Sequence, residues 1–165
     1  DLPFNRAEAL VSTRLWLAAG FGVIGLDSAD RVNRQWNPQF ALSNPDVVNV
    51  TGILKRLRAE GRIGAGTPIF CEGTSNGGGF CSRISALLGF RGQSLMIADG
   101  VEAILAQTTV PTIWTLGRND PTLAPGYLER SQASFDGLLA RGVAAERHVI
   151  EPSTVYPERF ARIPG

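Results

Sequence analysis

Five residues, Gly73-Thr74-Ser75-Asn76-Gly77, have the types and the spacing to hold a reactive serine. They fit G-x-S-x-G, the pattern of a nucleophile elbow, in which the serine sits at the tip of a sharp, strained turn from strand to helix. The glycines two before and two after it follow from crowding, because a Cβ at either place would strike the neighbouring backbone. Gly77, Gly78 and Gly79 then open the helix, so that its first turn packs close to the strand and its free N–H groups point toward developing negative charge. Ser75 is the candidate nucleophile and the backbone N–H of Asn76 the candidate oxyanion donor. In a chain with 19 glycines the plainer alternative is a Gly-rich turn with a passenger serine. A phosphate-binding loop is a third reading, but the run has no lysine for G-x-x-x-x-G-K-[ST] and no third glycine for G-x-G-x-x-G.

The elements that must position this turn are legible on both sides of it. Ile69, Phe70 and Cys71 make a short apolar run that reads as a buried strand, and Ser82, Ile84 and Leu87 lie at helical spacing. Upstream, Asn5 with Glu8 forms a capping box for a helix ending at Gly20, and Phe21 to Leu26 reads as a strand running into Asp27. The segment from Arg31 to Asn44, with Trp36 and Phe40, has no period and predicts a long loop. Asn44 and Pro45 then start a second helix, whose apolar stripe is Val47, Val50, Leu54 and Leu57. Beyond the elbow helix, which stops near Gly89, strands are expected at Ser94–Ala98, Val110–Leu116 and Ala145–Ile150, with a helix from Gly126 to Arg141. The tail from Glu151 to Gly165 reads as irregular. Strands alternating with helices predict an α/β fold with a mostly parallel sheet and helices on both faces, as one domain over residues 1–165.

Composition narrows the function. With 165 residues, 44% hydrophobic and 19% charged, and a formal net charge of +1, the chain has no electrostatic footprint for nucleic acid. Its basic residues are scattered, and Lys55 is its single lysine. The longest apolar run, Leu15 to Leu26, is broken by glycines and falls short of the ~20 residues that span a bilayer, so no membrane partner is expected. No signal peptide is visible, although the chain begins at Asp1 and anything before it would have been removed, which leaves the compartment open. Cys71 and Cys81 flank the elbow without a nearby histidine, so no metal site is expected; free buried thiols are expected, with a disulfide as the alternative in an oxidising compartment. No cofactor is implied.

Ser75, Asp120 and His148 fall in the order nucleophile, acid, histidine that G-x-S-x-G enzymes follow. With GFGVIGLDS, GTSNG, a strand ending in Asp99, and VPTIWTLGRND ending in Asp120, nearly the whole chain resembles an α/β-hydrolase of the esterase, dienelactone-hydrolase and polyester-depolymerase kind. The resemblance implies a serine hydrolase acting on a small-molecule or polymeric ester, with Asp120 orienting a histidine and Asp99 as the alternative acid. Asp120 before Pro121 also reads as a plain turn residue. The chain departs from the family twice. Nothing before Phe21 resembles the HG-type loop that supplies a second oxyanion donor, so the N-terminal strands read as missing and the chain as truncated and weakly active. The family's histidine follows the last strand, where this chain has EPSTVYPERF; His148 is the only candidate and falls inside the strand. Either that strand ends early, or the histidine lies beyond Gly165, or the chain is a non-catalytic binding module with Trp36, Phe40 and Asp27 lining a groove.

Overall fold

Four short strands, β1 (Phe70–Thr74), β2 (Gly92–Met96), β3 (Thr112–Gly117) and β4 (Ala145–Ile150), pair in chain order into one parallel sheet. The computed structural model describes residues 7–151. Parallel neighbours need a crossover, and three helices supply it: α3 (Asn76–Leu88), α4 (Glu102–Leu105) and α5 (Tyr127–Ala140), numbered after α1 (Ala7–Ala18) and α2 (Pro45–Ala59). Because the strand order never reverses, right-handed crossovers carry all three helices to the same face. The packing agrees. Cys81 of α3, Leu105 of α4 and Leu138 of α5 share one buried cluster with Leu95, Trp114 and Leu116 of the sheet.

Register explains which strand residues belong to that core. Gly73, Leu95, Trp114 and Arg147 stand side by side across the four strands, as do Cys71, Gln93, Thr112 and Ala145, and a period of two sends these rows toward the helices. The alternate rows are Glu72, Ser94, Ile113 and Glu146, then Thr74, Met96, Thr115 and His148. They point to the opposite face, where Phe70, Ile113 and Ile150 keep 50%, 42% and 55% of their surface exposed. The expected second helical layer is reduced, among the described residues, to the end of α1, where Trp16 meets Phe21 and Phe21 meets Phe70, edge to face at 5.2 and 5.7 Å.

The second helix starts as its sequence predicts. The Asn44 side chain accepts the N–H of Asp46 at 2.9 Å, Pro45 takes the first turn, and Val47, Val50 and Leu54 are buried. They pack against Phe80, Ile84 and Phe90, so α2 backs the elbow helix. One expected strand is absent: Phe21 to Leu26 has no regular structure and is unpaired, with Phe21, Val23 and Ile24 exposed. Strand residues need a neighbour for their N–H and C=O groups. Its Phe21 ring meets Phe70 of the edge strand β1, a side-chain contact without strand pairing. The short helix α4 carried no periodic signal, while the capping box at Asn5 and the tail beyond Glu151 lie outside the described residues.

Candidate functional site

Between the last residue of β1 and the first of α3 stands one residue, Ser75, and it makes the whole turn. Its φ of 54° and ψ of −121° put an L-residue in a region that glycine favours, at a cost of roughly 1–3 kcal/mol. The surroundings hold it there. The N–H of Ser75 donates to the Met96 carbonyl at 2.9 Å, and the N–H groups of Gly78 and Gly79 donate to the Ser75 carbonyl at 2.9 and 3.2 Å. The hydroxyl makes no capping bond to α3, and the residue is exposed. The Asn76 N–H, at the first helical position, has no acceptor within the helix by construction.

The glycines divide differently from the expectation. A Cβ on Gly73 would come 2.2 Å from the Gly77 carbonyl oxygen, so a glycine is required there. A Cβ on Gly77 would meet nothing tighter than the Trp36 indole nitrogen, at 3.5 Å, an ordinary contact. The second crowded position is Gly78, whose Cβ would fall 2.5 Å from the Ala98 Cβ, in the loop that follows β2.

The long loop before α2 is docked onto this elbow. The backbone N–H of Trp36 donates to the Asn76 Oδ1 at 2.7 Å, and the indole stacks on Phe80 with ring centres 4.3 Å apart and planes 9° from parallel. Asp46 anchors the loop from behind: its carboxylate, 2% exposed, accepts the N–H of Ala29 at 2.6 Å and of Asn37 at 2.7 Å. The Asn44 amide donates to the carbonyls of Asn37 and Gln39 at 3.1 and 2.7 Å. Asp46 did not stand out in the sequence, where the Asn-Pro-Asp run was the available signal. Phe40 is exposed, and Asp27 forms a surface pair with Arg31 at 2.7 Å.

Ser75, Asp99 and Asp120 all follow the carboxyl ends of strands, on one edge of the sheet. Asp120 sits in a turn after β3, its Oδ1 accepting the hydroxyl of Thr122 at 2.6 Å and its N–H at 2.8 Å. Those two bonds hold its carboxyl below the usual carboxylate range. Its own N–H donates to the Tyr127 hydroxyl at 3.0 Å, and that hydroxyl donates to the Gly117 carbonyl, which pins the turn to α5. Asp99 is already engaged: Arg130 donates to it at 2.7 Å and also to the Pro125 carbonyl at 2.7 Å. His148 lies within β4, opposite Thr115, exposed on the open face and 3.2 Å from Glu146. No hydrogen bond among the described residues joins it to Ser75 or Asp120.

Cys71 and Cys81 are free thiols. Burial pushes the Cys81 thiol well above the usual thiol range, and the adjacent Cys71 adds to the rise. Among the described residues no group of three His, Cys, Asp or Glu side chains is placed to hold a metal ion. No protein-family model matches the chain, and comparison with curated sequences gives no match. Among solved structures, Arabidopsis thaliana SOBER1 is similar at 21% identity and a TM-score of 0.47, over 78% of this chain and 70% of that one. A Phe-to-Leu variant of SOBER1 gives 21% identity and a TM-score of 0.45 over 70% of this chain, which spans 59% of that chain's length.

Proposed function

We propose that the protein is a serine hydrolase of carboxylic esters with an α/β-hydrolase-like elbow, and that Ser75 attacks the acyl carbon. The single observation that carries the reading is the backbone of Ser75: an exposed serine, free of capping duty, held at φ 54° between a strand and a glycine-opened helix. In this reading the Asn76 N–H receives the oxyanion; Asp120, two strands away on the same sheet edge, would orient an imidazole, but the chain's one histidine is His148, so in this chain solvent water takes the serine proton. His148 in its β4 position does not supply that imidazole, and one oxyanion donor is worth roughly 10²- to 10³-fold in rate, so a slow enzyme is expected. Incubating the 165-residue chain with a fluorophosphonate and mapping the adduct by mass spectrometry tests this. A slow, stoichiometric adduct on Ser75 that is lost in Ser75→Ala is expected; a chain that stays unmodified after prolonged incubation refutes the assignment.

The second reading is a non-catalytic binding module of the same architecture. The observation in its favour is His148 bonded to Glu146 on the open face of the sheet. It gains if Ser75 takes no adduct while the chain still binds small apolar ligands beside Trp36.

A further inference from the structure

Trp36 comes to the elbow from a segment without regular structure, and two contacts fix it there. Its N–H is bonded to Asn76, the residue after Ser75, at 2.7 Å; its ring is stacked on buried Phe80; its indole nitrogen stands 3.5 Å from where a Gly77 Cβ would be. One face of the indole is thus taken by Phe80, and the rest of a partly buried ring lies near Asn76 and Gly77, the two residues that follow Ser75. Behind it lies Asp46. A buried carboxylate is costly unless its oxygens are filled, and here each oxygen accepts a backbone N–H of the loop, one on either side of Trp36, from Ala29 and Asn37. Such bonds rigidify an otherwise irregular chain, and a flat ring that is held still loses little freedom when a second flat group stacks on it.

We propose that Trp36 is the specificity-determining wall of the Ser75 site, selecting esters whose acyl or alcohol group is flat and unsaturated, and that Asp46 is the positioning residue that holds it. This rests on the reading of Ser75 as a nucleophile. Aromatic stacking is worth roughly two- to ten-fold in affinity beyond area burial, which sets the scale of the selection.

The test uses the 165-residue chain and two fluorophosphonates of equal arm length, one ending in phenyl and one in cyclohexyl. Rates of adduct formation at Ser75 are compared. The phenyl probe reacts about ten-fold faster with the wild type, the ratio falls to near one in Trp36→Leu, and Trp36→Phe restores part of it. Asp46→Asn lowers the same ratio at least three-fold; a merely structural role would slow both probes alike, and that result removes Asp46 from the proposal. Where Asp46→Asn fails to fold, the Leu and Phe variants at Trp36 decide. Adducts on Ser75 without a phenyl preference, or with a preference that survives Trp36→Leu, overturn the proposal and leave the nucleophile standing. No adduct with either probe removes the nucleophile and this proposal together.

Discussion

The two faces of the sheet obey different rules. On one, Leu95, Trp114 and Leu116 are fully buried under α3, α4 and α5, and the helix that covers them also delivers the turn at Ser75. On the other, apolar, polar and charged side chains stand mixed in the same rows, Ile113 beside Glu146 and Thr115 beside His148. Every part of the candidate site that is held by several bonds belongs to the covered side or to the carboxyl edge: the elbow, the Asp46 anchor, the Asp120 turn. The histidine belongs to the open side. Site geometry is built where packing over-determines it, and a side chain on the uncovered face has no such support.

Neighbours on β3 probe this contrast directly. Trp114→Ala empties a fully buried site and should cost about 3–5 kcal/mol, a large part of the ~5–15 kcal/mol a domain has in total. Ile113→Ala, one residue back and facing the open side, should cost roughly 1 kcal/mol or less. Chemical denaturation midpoints measure both, and similar losses would mean that something covers the open face in solution.

Adjacent glycines of α3 give a smaller effect of opposite sign. Gly78→Ala places a methyl 2.5 Å from the Ala98 Cβ and should destabilise by about 1–3 kcal/mol, since both residues are buried. Gly77→Ala meets the indole of Trp36 at an ordinary distance and gains helix propensity, so it should be neutral or stabilise by up to ~1 kcal/mol. Thermal melts of the two variants rank them, and a reversed order would show that the close approach lies one residue earlier, as the bare motif suggests.

Much of this was legible in the sequence because the signals were local. The cap at Asn44, the stop at Gly89 and the strand Ala145–Ile150 follow from residue types within a turn of one another. The elbow was legible because a serine between glycines, after an apolar run, has few structural alternatives. What the sequence hid depends on distant partners. Phe21 to Leu26 has the composition of a strand, yet its backbone pairs with none of the four strands. The crowding at Gly78 comes from Ala98, and the importance of Asp46 comes from Ala29 and Asn37, none of which its own neighbourhood reveals. Asp99 looked like a spare acid until Arg130, 31 residues on, was found to occupy it.

The smallest expected effect is at the residue the chain order singled out. β4 is the fourth strand and β1 the first, so His148 stands three strand spacings, ~14 Å, from the line of the elbow strand. It shares the row of Thr74 and Met96, the last residues of β1 and β2, so depth along the strands does not separate it from Ser75; the three-strand distance and its place on the open face do, and Val149 and Ile150, still in register with β3, hold its backbone there. Its side chain is 57% exposed and its partner Glu146 67% exposed, and a surface pair of this kind contributes roughly 0–1 kcal/mol. His148→Gln keeps a hydrogen-bonding group at that place. It should therefore leave stability within about 0.5 kcal/mol and the rate of fluorophosphonate addition to Ser75 within a few-fold of the wild type. A rate lower by ~10²-fold or more, the effect of removing a general base, would mean that β4 frays before His148 and that the imidazole crosses to the carboxyl edge to meet Asp120.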